Sequence, residues 1–541
     1  MMDLPAAPRP MLHHRFSGAT VARFPTDRRQ AGSDLLRSTT AGWLAGAWPV
    51  GLTGAGLFWA VAVLVGLRAV LALVLPLSFD EAYFWLWSKH LALSYYDHPP
   101  LIALAIRLGT VIAGDTEIGV RLVPLLASVG ASWALWRAAD LAFDDRKAAW
   151  TACLLFNATL MIAAESASAT PDSLVLAAAC FLLLAMAQLQ RTGDGRWWLA
   201  VGLSVGLALF SKYTGLFLAA SVGLWLVLSP AGRAWLHSAW PYAGAAIAIL
   251  FLAPTIYWNS QNDWVSFRFQ FGRVIEGRPS LVHLLEFCAG QLALASPPIA
   301  VLALIGLARQ ARRFRENRPL AFAAFIACPA LVYFLAHALH DRVQGNWPSF
   351  IFPALILLAA SVIVQQRGQD HGGSLVRTSI ALTIPVAAAI LLVSYAQAFL
   401  GLIPMGNSDP LARMTAIGFR PVAERIAAIA RKDDAAAIAT GKYALTGWLA
   451  FYRTSSTPVV QLNEDYRWLS SPKLSRAMLD RPLIYVTQHP AHDLRLLSPH
   501  FAAIRSEGDV DRARNGRPID RYYLFVLSGF HGAPVGRVPA E

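Results

Sequence analysis

The stretch Phe79-Asp80-Glu81-Ala82-Tyr83-Phe84-Trp85-Leu86-Trp87-Ser88-Lys89-His90-Leu91-Ala92-Leu93-Ser94-Tyr95-Tyr96-Asp97-His98-Pro99-Pro100-Leu101 decides how the rest of the chain is read. An acidic pair stands at the end of a long apolar run, aromatics follow it, and an Asp-His-Pro-Pro turn closes it. Trp and Tyr gather at membrane–water boundaries, where one side of the ring is wet. Adjacent carboxylates at that depth are costly unless they perform a task. The stretch therefore reads as a functional loop lying on a bilayer surface.

Working outward, composition agrees. Of 541 residues 56% are hydrophobic and 15% charged, and mean hydropathy is +0.46. Many windows reach the roughly 20 apolar residues that cross a bilayer, so the expected class is a polytopic α-helical membrane protein. The formal net charge of +13 suits cationic loops that fix orientation and meet anionic headgroups. No soluble basic motif accompanies it, which excludes nucleic acid as the expected partner. Cys153, Cys180, Cys288 and Cys328 lie in or beside apolar stretches without metal-ligand spacing and read as packing residues.

Residues 1–50, rich in Pro, Arg and Ser, read as a disordered cytoplasmic tail. The first span is expected near 57–77. Later spans are expected near 120–140, 149–166, 173–190, 197–211, 214–229, 240–258, 288–308, 320–338, 348–364 and 378–400. Ile102–Gly114 is apolar but short and carries Arg107. Laying it on the surface leaves about eleven spans, and puts the basic loop Arg309–Arg318 with the N-terminus on the cytoplasmic side. Phe79–Arg121, Glu165–Asp172, the Lys212 turn, Asn259–Phe287, His340–Trp347 and residues 401–541 then share the outer face. Residues 51–400 form the membrane module. The tail alternates helical stretches (Val422–Lys432, Leu445–Tyr452) with short apolar runs (Ala435–Ala439, Pro458–Leu462, Leu483–Gln488, Tyr522–Leu527), as in a small α/β domain.

The outer face carries the chemistry. Asp80 and Glu81 do not share a helix face, so one can meet a cleft while the other pins backbone or a cation. A carboxylate at a dry boundary suits general-base work; the pair would equally favour the N-terminus of a following helix. Cations are disfavoured on the outer side of spans, so Arg121, Lys212 and Arg342, with Arg268 and Arg273 in the Asn259–Phe287 loop, ask for a reason. Headgroup snorkelling is one. A phosphate is another, since Arg offers it a fork and Lys a point charge. Together these parts fit transfer from a lipid-linked phosphosugar, with the cations meeting the charge that develops on the leaving phosphate. Glu165 and Asp172 flank a short turn, and Thr170-Pro171-Asp172 reads as a helix start. Scattered histidines, His98 and His340 among them, show no metal-ligand spacing, so no cofactor is expected, a divalent cation held with Glu81 or Asp97 being the alternative.

Asp80-Glu81 after the first span, Asp97-His98-Pro99-Pro100-Leu101 and Arg121 resemble the protein O-mannosyltransferase superfamily, glycosyltransferase family 39. Ser211-Lys212-Tyr213, Pro254-Thr255-Ile256-Tyr257-Trp258-Asn259, Gly345-Asn346-Trp347-Pro348 and Ala450-Phe451-Tyr452 are similar to its bacterial branch, which includes the lipid A aminoarabinose transferases. The resemblance implies a GT-C fold, a polyprenyl-phosphate-linked donor and an inverting transfer. It maps Asp80 to the catalytic acid residue of the pair, supported by Glu81, and Lys212 to a lysine that holds the lipid phosphate. Arg121 and Arg342 are expected to assist at the phosphate, and His98, Tyr83, Trp87 and Trp347 to line the cleft. The implied acceptor is a glycolipid or envelope glycan on the periplasmic face of a bacterial inner membrane, with the C-terminal domain also periplasmic. A lipid-linked glycan ligase or polymerase and a lipid-linked sugar flippase are the competing classes.

Overall fold

In a computed structural model, the structure describes residues 53–540 except 276–277, 314, 317, 367–372 and 534. The tail expected over 1–50 lies outside the described residues. The chain from Gly51 onward is one compact unit.

Among the described residues, seven helices are long and apolar enough to cross a membrane, and nine result if each of two bent helix pairs is one span. The chain is therefore a multi-pass membrane protein. We number the helices used below α1 (Gly54–Val74), α2 (Phe79–Lys89), α3 (Leu101–Ala113), α4 (Glu117–Phe143), α5 (Arg146–Ala158), α6 (Leu160–Ser166), α7 (Pro171–Thr192), α8 (Trp197–Ser211), α9 (Gly215–Leu228), α10 (Trp240–Gln261), α11 (Val265–Ile275), α12 (Leu281–Ala295) and α13 (Pro297–Ala311). Helix α7 is almost wholly buried at the centre, whereas α1 shows Trp59, Val63, Leu73 and Val74 on its outside. An apolar outer face is what a helix bathed in lipid requires, its backbone bonds being satisfied within the helix.

Two stretches expected as single spans are broken. The 149–166 stretch bends by 72° between α5 and α6, where Thr159 leaves helical geometry (φ −80°, ψ 144°) and its hydroxyl caps Ile162 N. The 288–308 stretch bends by 102° between α12 and α13. There Ser296 takes φ 70°, and Pro297-Pro298 begins the next helix, where the missing N–H of proline costs no helical hydrogen bond. Helices α8 and α9 are short apolar helices of 15 and 14 residues. Helix α3 has 13 residues; at 1.5 Å per residue it is too short to span. It buries Ile102, Ala103 and Ile106 and exposes Leu104, Leu108, Val111 and Ile112, a two-faced pattern that suits a helix lying at an interface.

The last long helix, Ser374–Leu400, stops at Gly401 in the left-handed region. Beyond it stands a six-stranded mixed sheet in the order β4-β5-β3-β1-β2-β6. Its strands are β1 (Ala437–Thr440), β2 (Val459–Gln461), β3 (Leu483–Thr487), β4 (Phe501–Arg514), β5 (Arg517–Phe530) and β6 (Arg537–Ala540). Strands β1 and β3 pair parallel, as do β1 and β2, and these three central strands are buried throughout, which is why they read as plain apolar runs. Strands β4 and β6 escaped the sequence reading because β4 is an edge strand, mostly exposed and rich in charge, and β6 is four residues long.

One apolar cluster unites the Asp80 helix with this domain: Tyr83, Trp87 and Tyr95 pack with Phe419, Trp448, Trp468, Ile484 and Leu524. The helix Tyr443–Phe451 crosses α2 so closely that a Cβ on Gly447 would stand 2.9 Å from the Ala82 and Tyr83 backbone; only glycine permits that approach. Around Leu77 the domain also bonds the loop ahead of Asp80. Ala416 N and Trp448 Nε1 donate to Leu77 O at 2.9 and 3.2 Å, and Leu77 N donates to Tyr452 Oη at 2.7 Å.

Candidate active site

Helix α2 begins with a capping box. Ser78 Oγ accepts from Glu81 N at 3.2 Å and Glu81 Oε2 accepts from Ser78 N at 2.8 Å, satisfying two backbone donors at once. Glu81 therefore turns back into the protein. There it meets Arg121 in a two-pronged ion pair, Nε to Oε1 at 2.6 Å and Nη2 to Oε2 at 2.7 Å, and it accepts from Ala169 N at 2.9 Å. The remaining donors of Arg121 go to the carbonyls of Ala72, Leu75 and Pro76 at 2.9, 2.6 and 3.1 Å. All five guanidinium N–H groups are thus used inside the protein, leaving Arg121 none for a phosphate. Burial would lift the Glu81 carboxyl, but Arg121 and the backbone donors outweigh it and hold the group below its ordinary range. The pair locks α1, α2, α4 and the Ala169 turn together.

Asp80, one position earlier, points elsewhere and is half-buried. Among the described residues its one side-chain bond is long, from Tyr443 Oη at 3.4 Å. Burial, then the negative charge of Asp97, push its carboxyl up to about 7, with Asp172 adding and Tyr443 and Lys212 subtracting. A carboxyl tuned there is half ionised near neutrality, the condition for a general base.

Two charged nodes flank it. In one, Asp97 Oδ1 and Oδ2 each lie 2.7 Å from Arg467 Nη1, and Asp97 Oδ2 accepts from Tyr83 Oη at 2.8 Å. The Arg467 guanidinium lies over the rings of Tyr443, Tyr96 and Tyr466 at 4.6, 5.3 and 5.6 Å. In the other, Lys212 Nζ sits 2.7 Å from both oxygens of Asp172, and Asn346 Nδ2 reaches Asp172 at 3.0 Å. Thr170 caps α7 at Ser173 N, placing Asp172 in the first turn facing Lys212 at the end of α8, while Glu165, buried nearby, accepts from Thr170 Oγ1 at 2.9 Å.

The structure thus brings Asp80, Lys212, Tyr83 and the Asp97 turn together. It places His98 with its ring edge-on to Phe84 at 5.9 Å, and Trp347 beside His337 at 5.9 Å. Arg342 is exposed and pairs with Glu286 at 3.2 Å; its loop contributes Asn346 instead. Tyr83 is buried beneath Tyr443 and Trp468, so its hydroxyl serves Asp97. Sequence reasoning missed Tyr443 and Arg467, which lie in the α/β domain with no motif around them, and Asn346 as a partner of Asp172. Arg268 lies on α11, its Nη2 donating to Asp263 O; the Arg273 side chain lies outside the described residues. Among the described residues no three His, Cys, Asp or Glu side chains gather as a metal-ligand set.

A family model described as dolichyl-phosphate-mannose-protein mannosyltransferase matches residues 97–258. The structure of ArnT from Cupriavidus metallidurans bound to undecaprenyl phosphate superposes with a TM-score of 0.61 at 16% identity, covering 89% of this chain and 100% of that one. Its apo form gives 0.56 at 16% identity, covering 88% and 99%. This is a GT-C fold. The chain is also 28% identical over 283 residues to the lipid A galacturonosyltransferase RgtD of Rhizobium johnstonii, a match covering 52% of this chain and 59% of the relative. The match thus spans about three-fifths of that curated relative's length. The chain thus resembles the mannosyltransferase family model over residues 97–258, ArnT in fold and a lipid A galacturonosyltransferase in sequence.

Proposed function

We propose that this protein is a membrane glycosyltransferase that moves a sugar from a polyprenyl-phosphate-linked donor to an envelope glycolipid, on the periplasmic face of a bacterial inner membrane. The observation that carries the reading is a carboxyl poised near neutrality, Asp80, set between a buried lysine and an aromatic-walled node in a GT-C fold. The RgtD relative and the lipid carrier in the ArnT complex support the choice of acceptor and donor.

In this reading Asp80 removes the proton from the acceptor hydroxyl. The freed oxygen attacks the anomeric carbon, and the bond from that carbon to the phosphate oxygen breaks. The polyprenyl phosphate leaves with the electron pair, and Lys212 stabilises its growing charge. Lys212 reaches the phosphate by exchanging its present partner, Asp172, for the new anion; Asn346 keeps Asp172 bonded meanwhile. Arg121 and Glu81 hold the frame and do not touch the donor. If the acceptor oxygen belongs to a phosphate, the nucleophile is already ionised and Asp80 contributes less. The proposed transfer uses no metal or cofactor.

The test is Asp80→Asn in membranes supplied with a radiolabelled polyprenyl-phosphate sugar and lipid A, with and without chelator. Transfer is expected to fall by about two to four orders of magnitude, the range of general-base catalysis, with undecaprenyl phosphate binding retained and chelator without effect. Undiminished transfer removes Asp80 from the mechanism. Movement of the lipid-linked sugar across the bilayer without a new glycosidic bond favours the flippase.

A further inference from the structure

A cleft of about 780 Å³ opens beside the Asp97–Arg467 node. Its volume falls in the range of pockets that take a small-molecule ligand, about 300–1,000 Å³. One wall is the α10–α11 link, with Gln261, Asn262, Asp263 and Arg268, whose Nη2 donates to Asp263 O; the other comes from the α/β domain, with Tyr466. Tyr96 and Phe269 also line it. Three rings form a platform: Tyr96 lies 4.6 Å from Phe269 and 4.8 Å from Tyr466, and Arg467 backs Tyr96 and Tyr466 from the side of the site. Tyr466 remains 42% exposed, so its ring is available to a ligand.

The cleft and the candidate active site are built from alternate residues of the same two loops. Tyr96 lines the cleft while Asp97 enters the node, and Tyr466 lines the cleft while Arg467 enters the node. Helix α11 is stitched to the first loop by Ser266 Oγ to Tyr95 O at 2.8 Å and Gln270 Nε2 to Asp97 O at 2.7 Å. A ligand in the cleft therefore sits one residue from the Asp97–Arg467 node, whose Asp97 charge acts on Asp80, whereas Lys212 and Asp172 occupy another node.

We propose that this cleft seats the saccharide headgroup of the acceptor glycolipid, with sugar faces on Tyr96, Phe269 and Tyr466, hydroxyls on Gln261 and Asn262, and an anionic substituent on Arg268. The chemistry argues for a sugar over an acyl chain: flat rings accept the apolar face of a pyranose, while amides and a guanidinium satisfy its polar rim. The proposal rests on the transferase reading above and adds where the acceptor docks.

The experiment uses the full-length protein in lipid nanodiscs, with lipid A and undecaprenyl phosphate as separate probes, comparing wild type, Tyr466→Ala and Gln261→Ala. The expected result is that Tyr466→Ala weakens lipid A binding up to about tenfold, the worth of one good stacking contact. Gln261→Ala should weaken it severalfold, and both variants should bind undecaprenyl phosphate as wild type does, which also reports an intact fold. Unchanged lipid A binding in both variants, equal loss for both probes, or no lipid A binding by wild type overturns the cleft assignment. Failure of wild type to bind undecaprenyl phosphate while it binds lipid A overturns the donor reading instead.

Discussion

Asp80 and Glu81 are neighbours in sequence, share one kind of acid and sit in the first turn of one helix, yet the protein treats them in opposite ways. Glu81 is surrounded by donors: two arms of Arg121 and the amides of Ser78 and Ala169. Asp80 has a single long bond from Tyr443 and the negative charge of Asp97 nearby. The first arrangement favours a permanently ionised carboxylate and a fixed backbone. The second leaves the carboxyl half ionised near neutral pH, where a proton can be taken up and given back. Successive residues on a helix are turned about 100° apart, so a protein can put a frame and a reactive group side by side and serve each from a different set of neighbours.

The strongest way to break the comparison is to disable the frame. Arg121→Met leaves Glu81 buried without its cation, and Glu81→Gln does the reverse. Either change is expected to cost about 3–5 kcal/mol of stability, the usual penalty for stranding one partner of a buried pair, read as a large drop in thermal midpoint in detergent. The same measurement on Asp80→Asn should show no loss, because among the described residues Asp80 has no ion pair to break. If Arg121→Met keeps its midpoint and loses only donor binding, the frame assignment is wrong.

A subtler change sharpens the contrast through pH. With Asp80 as base, kcat/KM should rise as pH climbs through about 7, since only the ionised form accepts a proton. Asp97→Asn removes a neighbouring negative charge that raises the Asp80 carboxyl, so the rising limb is expected to move to lower pH. A limb that stays in place assigns the titration to another group. The smallest expected effect belongs to Tyr443→Phe. Its bond to Asp80 is 3.4 Å long, and loss of a weak hydrogen bond is worth about 0.5–1.5 kcal/mol. A few-fold fall in kcat/KM with an unchanged thermal midpoint is expected, and a hundredfold fall would make Tyr443 a partner in the reaction itself.

Much of this was legible in the chain itself. Long apolar runs announced the bundle because lipid accepts no other surface, and buried apolar runs announced β1, β2, β3 and β5. The Asp80-Glu81 pair stood out by its position at the end of a span. The breaks at Thr159 and Ser296 were harder to see, since both stretches remain apolar across the bend. Arg68 escaped altogether: it lies buried inside α1 and bonds Asn157 Oδ1 at 2.6 Å beside the α5–α6 break. Read along the chain, it is one arginine in an apolar run, and its partner stands 89 residues away.

The division of labour within the site is where sequence order stops helping. Residue types and their places relative to spans determined that this chain is a polytopic membrane protein with its candidate chemistry at span ends, because hydrophobic length and the cost of exposed charge act locally along the chain. Which carboxylate is framed and which is poised, that Lys212 faces Asp172, and that Tyr443 and Arg467 come back from the far domain to complete the node were decided only by tertiary structure. Ion pairing and desolvation depend on distances of a few ångströms between groups hundreds of residues apart, and those distances exist only once the bundle and the sheet have packed on one core.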